Sequence, residues 1–520
     1  MAEPRIVTDD GSPAPSGLVD AVLAFEAAVS SGDQEAIAQF FERGEHTVRV
    51  DGTGLIEGTD AIAAHRGVRR AAGERTVDSL LIHRAGPGVA HVVIANRPAA
   101  GGSGTLSTLW RQGDNGNWRI VTVHVSSPGP ALDTRVWRLV GAPLVTGAAE
   151  GPLAGETLAV KDVFAVSGMR RGLGVRAYIA TAPLEFETAP AVRALLEAGA
   201  DVIGIAQSDQ FAYSIAGLNP DYGTPPNPAV PGGIPGGSSS GPASAVALGQ
   251  ATIGVGTDTA GSIRVPASYQ GLWGLRPTHG AIPLAGVAPL APGYDTVGYL
   301  TRDGATLLAA ATVGLTGAQS VRPSQRVFLP DAPVTPDEEV AAAFRSLATG
   351  LVPNAERVTL PDLGELYDAF RVTQQAQAWR ANGAWVAANP GTLAPDVEAR
   401  FAAAQAVTPA REAEAIAQRD RLAAQLDDLL GDAILLIPAT ASAAPLLSAS
   451  EDELEASRVA TLGLTSIAGL TGRPALSVPL MRVPAGPVGV SLVGPRGSDL
   501  ALIRMALTWM RNTRELAGRA

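Results

Sequence analysis

The 520-residue chain is 46% hydrophobic and only 17% charged, which fits a well-buried globular protein long enough for two or more folding units. Its net charge of −11 argues against a nucleic-acid partner or an anionic membrane surface, because no clustered basic face accompanies it. The absence of cysteine removes disulfides, thiolate nucleophiles and Cys-ligated metals; with no long apolar run and no secretory pattern at the start, a cytoplasmic location without membrane contact is expected.

Residues 1–16 are polar and rich in Pro and Gly and read as a loose arm. Leu18, Val22, Phe25 and Val29 then recur at helical spacing, and Asp33 is placed to cap a second helix through Ile37, Phe40 and Phe41. From His46 the pattern turns to β-like runs, HTVRV, DSLLIH, AHVVIANR, TLSTLWRQ and NWRIVTVHV, the last two joined across Gly113-Asp114-Asn115-Gly116 as a hairpin. Helices followed by a curved antiparallel sheet describe a small α+β domain over residues 17–128. Five of the six histidines, His46, His65, His83, His91 and His124, fall here without metal-site spacing; they read as surface or structural residues, the alternative being a ligand pocket lined by some of them. Ser126-Ser127-Pro128-Gly129-Pro130 marks the boundary, and residues 129–150 read as linker and start of the catalytic domain. This order of elements resembles the SnoaL-like (nuclear-transport-factor-like) superfamily, and more narrowly the AtzH-like domains that occur beside amidases.

Beyond the boundary, LAVKDVFAVSGMRRGLG puts Lys161 at the end of a strand-like run, residues 191–198 read as a helix closed by Gly199-Ala200, and DVIGIAQ as the next buried strand. Such alternation predicts an α/β sheet covered by helices on both faces. Residues 337–430 are Ala-rich and helical, with Trp379 and Trp385 read as packing rather than as substrate cover. AILLIPAT, GRPALSVPL and VGVSLVGP return to strands, and residues 500–514 close as a helix.

The central stretch, residues 232–280, crowds glycines and hydroxyls beside apolar segments at 243–248 and 251–255, so its turns are held by a scaffold rather than free as in a linker. Glycine turns of this kind bring backbone N–H groups close to a substrate. Lys161 is the single lysine against 38 arginines, so a need for positive charge does not account for it. A desolvated lysine can act as a neutral base, which arginine cannot. Together these features suggest a Ser/Lys hydrolase; the competing account is codon bias that spared one lysine by chance. A Ser-His-Asp triad would need His279, which follows a Pro-Thr turn and reads as structural, and a metal hydrolase lacks ligands.

PGGSSSG (235–241), GTDTAGSIRVPA (256–267), GLRPTHG (274–280) and VKD (160–162) resemble, in content and order, the amidase signature family over residues 135–520. GTPPNP and GVAPLAPGYDTVG look like the subgroup that includes plant indole-acetamide hydrolases. The resemblance implies the amidase signature fold, a large mixed β-sheet covered by helices, over residues 151–520. It assigns Ser262 as nucleophile, Ser238 as the bridging serine on a cis peptide bond, and Lys161 as base. It also implies an oxyanion hole from the backbone N–H groups of Thr259, Ala260, Gly261 and Ser262. Ala260 stands where the family usually has Gly, so the loop must tolerate a Cβ, and Ile205 and Arg276 stand where many relatives have Lys. Asp258 and Arg264 flank the nucleophile as a structural ion pair, a substrate role for Arg264 being the alternative. The backbone of Gln210 and the ring of Tyr213 are expected near the scissile amide, and Ser239 is a candidate substrate contact that locally reads, like Ser240, as a turn residue.

The implied activity is metal-independent hydrolysis of the carboxamide C–N bond of a small molecule through an acyl-enzyme, without a cofactor. The same machinery would serve an aryl ester or carbamate hydrolase, and homodimerisation is left open. Two other readings are the amidase subunit of an amidotransferase, which the fused N-terminal domain and the lack of a basic RNA-facing surface disfavour, and an inactive binding scaffold, which the intact Lys161/Ser238/Ser262 set disfavours. Neither the Ala-rich helical region nor residues 285–292 displays a charge pattern that identifies the substrate.

Overall fold

A computed structural model describes residues 4–51, 54–67, 75–98, 104–126, 133–316 and 321–517. Backbone contacts divide the chain into two units, residues 1–131 and 132–520. Of the expected boundary at residues 126–130 and the expected linker from 129, residues 127–132 lie outside the described residues.

In the first unit, strands β1 (Arg5–Thr8), β2 (Val48–Asp51), β3 (Gly54–Glu57), β4 (Arg75–Gly86), β5 (Val89–Pro98), β6 (Gly104–Gln112) and β7 (Trp118–Ser126) form one sheet in the order β1-β4-β5-β6-β7-β2-β3. Helices α1 (Leu18–Ser31), α2 (Gln34–Ala38) and α3 (Thr59–Gly67) accompany it. The helical repeat Leu18, Val22, Phe25 and Val29 packs on Leu80, Ile82, Val92, Ile94 and Trp110, every second residue of the central strands. Asp33 caps α2 by accepting the Ala36 N–H at 3.0 Å. The loose arm expected over residues 1–16 is corrected: Arg5–Thr8 pairs in parallel with β4, Ile6 opposite Leu80, because the β-branched run satisfies an edge that would otherwise stand open. His83 and His91 are cross-strand partners with stacked rings, and His91 Nε2 lies 2.7 Å from Ser107 Oγ. They alternate with the core residues Ile82 and Val92, so they sit on the sheet face turned away from the apolar core. His46 and His124 are exposed, and the His65 side chain lies outside the described residues.

The second unit is built on an 11-stranded mixed sheet from β8 (Trp137–Val145), β9 (Thr157–Lys161), β10 (Asp201–Ala206), β11 (Ile253–Asp258), β12 (Trp273–Arg276), β13 (Thr296–Thr301), β14 (Val327–Pro330), β15 (Glu356–Val358), β16 (Ile434–Pro438), β17 (Ala475–Val483) and β18 (Gly486–Val493). Its order is β15-β14-β16-β18-β17-β12-β13-β11-β9-β10-β8. The helices are α4 (Arg176–Thr181), α5 (Pro190–Glu197), α6 (Ser240–Ala247), α7 (Arg264–Gln270), α8 (Gly304–Gly314), α9 (Glu338–Leu351), α10 (Leu363–Ala388), α11 (Pro395–Gln405), α12 (Pro409–Leu430), α13 (Glu451–Thr471) and α14 (Asp499–Ala517). Neighbouring residues of one strand enter different cores: Leu158 and Val160 join α5, α8 and α14, whereas Ala159 joins α6 and α7. Both sheet faces are therefore apolar and helix-covered, which is why the strands read as continuous hydrophobic runs. Trp385 packs on Tyr178 and Phe211, with ring centroids 5.5 and 5.3 Å away. Among the described residues no helix is long and apolar enough to cross a membrane, and no group of three or more His, Asp or Glu could hold a metal ion.

Candidate active site

β9 and β11 are parallel neighbours, Val160 opposite Val255, so the chain leaves both at the same end of the sheet. Lys161 is the last residue of β9 and fully buried; its Nζ is 2.9 Å from Ser238 Oγ and 2.8 Å from Thr257 Oγ1. Ser238 follows a cis Gly237–Ser238 peptide bond and stands just before α6, which starts at Ser240 rather than near Pro242 as expected. The Ser239 N–H donates to the Ser262 carbonyl at 3.2 Å, tying this serine turn to the turn that carries Ser262. A Cβ at Gly237 would lie 2.3 Å from Asp209 Oδ2 and 2.7 Å from the Gly217 nitrogen, so only glycine lets the loop come this close.

Burial lowers the Lys161 pKa from its ordinary value to about 8, against the opposing pull of the carboxylates of Asp209, Asp162, Asp258 and Asp295. Those acids are themselves engaged. Asp209 accepts from the Gly217 N–H at 2.9 Å and Ser240 Oγ at 3.1 Å, and Asp162 from Ser208 Oγ at 2.6 Å and the Gly174 N–H at 2.9 Å. Burial pushes both carboxyls above the usual range.

The turn from Thr259 to Ser262 is organised by Asp258. Its Oδ1 accepts from the Gly261 N–H at 2.9 Å, Arg264 Nη2 at 2.9 Å and Arg276 Nη1 at 3.1 Å, and its Oδ2 from Arg264 Nε at 3.0 Å. Burial alone would raise this carboxyl, but the two guanidiniums hold it well below the carboxylate range. Arg264 is not among the residues that line the cleft at Ser262 and spends its Nη1 on the Thr465 carbonyl at 3.0 Å, so it is a structural partner of Asp258. Of the four N–H groups expected to form an oxyanion hole, that of Gly261 donates to Asp258, while among the described residues those of Thr259, Ala260 and Ser262 have no protein acceptor. Ala260 keeps a negative φ and packs its methyl against the core, so the Cβ is accommodated; Gly261, at φ 121°, is the position that demands glycine. Thr465 Oγ1 donates to the Ala260 carbonyl at 2.6 Å, and Thr259 Oγ1 to Asp295 at 2.6 Å.

Ser262 and Tyr213 line one cleft with Ala212, Ile215, Thr259, Ala260 and Leu290, and with Gln374, Arg400 and Arg458 from α10, α11 and α13. Gln210 is not among the lining residues: its side-chain amide holds Asp221 at 3.2 Å and the Ala394 N–H at 2.7 Å, which makes it a brace of the loop. Ser239 is likewise a scaffold residue, fully buried and bonded to the backbone of Thr257 at 3.2 and 3.3 Å. His279 bonds the Pro292 carbonyl at 3.1 Å and is structural, as expected. The sequence does not single out Thr257, Asp209 or the cleft residues Gln374, Arg400 and Arg458 on α10, α11 and α13. Thr257 lies inside the GTDTAGS phrase and could have been found there, whereas Arg400 and Arg458 carry no local signal among so many arginines.

A family model described as Amidase matches residues 142–363, and one described as AtzH-like matches residues 16–130. The chain is 34% identical over 401 residues to "Amidase 1" of Arabidopsis thaliana, covering 70% of this chain and 94% of that protein. It is 32% identical over 380 residues to 2-amino-5-chloromuconic acid deaminase of Comamonas testosteroni, covering 69% and 81%. A solved structure of an amidase superposes with a TM-score of 0.64 at 31% identity, covering 73% of this chain and 92% of the other. The second unit has that mixed sheet and helical cover, and the match runs nearly the full length of the plant protein, so the chain belongs to the amidase signature family of amide-hydrolysing enzymes, with an AtzH-like region ahead of the amidase unit.

Proposed function

We propose that the chain hydrolyses a small-molecule carboxamide through an acyl-enzyme, with Ser262 as nucleophile, Ser238 as bridging hydroxyl and Lys161 as base. The observation that carries the reading is the fully buried Lys161 Nζ held on the hydroxyls of Ser238 and Thr257, with a pKa lowered to about 8. In its neutral form the amine offers a lone pair to the Ser238 proton; Ser238 takes the Ser262 proton as Ser262 Oγ bonds to the acyl carbon. The tetrahedral oxyanion is met by the N–H groups of Thr259, Ala260 and Ser262, each worth about 3 kcal/mol in a preorganised site. The proton returns along the same path to the leaving nitrogen, the C–N bond breaks, and water attacks the acyl-enzyme to regenerate Ser262. No step needs a metal, since the base is a side chain. Esters and carbamates meet the same attack geometry.

The test is Ser262→Ala in the full chain. Turnover of a panel of amides, esters and carbamates, and labelling by a fluorophosphonate probe, are both expected to vanish while the urea unfolding midpoint is unchanged. Residual turnover, or a label elsewhere in the cleft, would overturn the assignment.

A further inference from the structure

We propose that the cleft beside Ser262 selects amides that also carry a carboxylate, as the monoamides of short dicarboxylic acids do; this rests on the amidase reading of Ser262. Arg400 and Arg458 line the same cleft as Ser262, and no carboxylate is among its lining residues. Each arginine has an acid one helical turn away on its own helix: Asp396 lies 2.8 Å from Arg400 and Glu455 lies 2.6 Å from Arg458. The acids are 58% and 54% exposed and the arginines 21% each, so both pairs turn the anion to water and the cation to the cleft. The cleft therefore presents two cations and no compensating lining anion.

Donors remain for a ligand. A guanidinium has five N–H groups. Arg458 commits Nε and Nη2 to Glu455 and also meets the Tyr367 hydroxyl, and Arg400 shares Nη1 between the Tyr213 carbonyl at 3.0 Å and Asp396 at 2.8 Å, which among the described residues leaves Arg400 Nε and Nη2 without a protein acceptor. The bond to the Tyr213 carbonyl also fixes Arg400 to the loop in which Phe211 and Ala212 both take positive φ, so its head is held at a set distance from the nucleophile turn. The same lining carries Ile215, Leu290 and Leu462 beside the polar Ser214 and Gln374, and its apolar side chains suit a short methylene spacer. An amide at one end and a carboxylate at the other match this sequence of surfaces, since planar guanidiniums bind carboxylates through paired, charge-assisted bonds.

The experiment compares kcat/KM of the full chain for succinamate and glutaramate with the uncharged isosteres 4-methylpentanamide and 5-methylhexanamide. At least one acid is expected to exceed its isostere tenfold or more, with a preference that shrinks as salt is added. Arg400→Gln and Arg458→Gln are each expected to cut the acid-to-isostere ratio at least tenfold, mainly through KM, with Arg→Lys in between. Isosteres equal to or better than both acids in the unmodified protein would overturn the proposal whether or not the variants fold, as would ratios unchanged in both folded variants. Fluorophosphonate labelling of Ser262 separates the failures: label and isostere turnover without acid preference sink only the charge selection, whereas no label and no turnover sink the amidase reading and this one with it.

Discussion

The proposed role of Lys161 as base dictates a pH profile. With Lys161 lowered to about 8, the amine is ~10% neutral at pH 7, whereas a lysine at its ordinary 10.5 would be ~0.03% neutral. The shift is thus worth a factor of roughly 300 in active base, on the order of 3 kcal/mol. Since the neutral form is the reactive one, kcat/KM is expected to rise about tenfold per pH unit up to an inflection near 8 and to level above it. The assay is initial-rate kinetics from pH 5.5 to 10 on a neutral amide whose own ionisation lies outside that range. A flat profile down to pH 6, or an inflection near 10, would refute the argument that burial tunes the base. Stability carries the same sign. Lys161 holds its proton less tightly folded than unfolded, so its contribution disfavours folding at low pH, and the penalty fades between about 8 and 10.5 as pH rises. As no other lysine is present, that window is crossed otherwise mainly by tyrosines, and buried ones such as Tyr213 and Tyr299, raised by burial, act in the opposite direction above their ordinary value.

Thr257→Val removes one of the two hydroxyls on Lys161 Nζ while nearly preserving volume. A loss of roughly tenfold or more in kcat with little change in KM is expected, and the acid limb should move to lower pH because the ammonium loses an acceptor; an upward move would contradict the geometry. Asp258→Asn leaves Arg264 and Arg276 buried without their counter-charge, and the cost read from urea unfolding should be about 3–5 kcal/mol, the range for breaking a buried pair. A loss below about 1 kcal/mol would mean that Asp258 does not organise the turn.

Those residues also show how far the sequence could be read. The strand ending in Lys161, the apolar runs of the second sheet and α1 with its Leu18-Val22-Phe25-Val29 stripe were legible, because period and composition report which face a residue buries. The pairing of Lys161 with Ser238 was reached only through resemblance, since 77 residues separate the two in sequence. β1 was missed because four residues after a polar start show no periodicity; its pairing is decided by the open edge of β4. A motif names positions, not hydrogen-bond directions, so it gives no sign that the Gly261 N–H, one of the four expected oxyanion donors, meets an Asp258 oxygen. Arg400 and Arg458 lie on helices whose spacing reports only an i,i+4 and an i,i+3 pair, and the cleft they share with Ser262 exists only once α11 and α13 have packed.

Thr465 bonds the Ala260 carbonyl and offers its own carbonyl to Arg264, so the turn bearing Ser262 is clamped by a residue some 200 positions later in the chain. During synthesis the Lys161 strand and both serine turns emerge long before their clamp. A nascent chain therefore carries all three residues of the proposed triad yet lacks the clamp on the turn that bears Ser262, and hydrolysis is expected only after translation has passed α13.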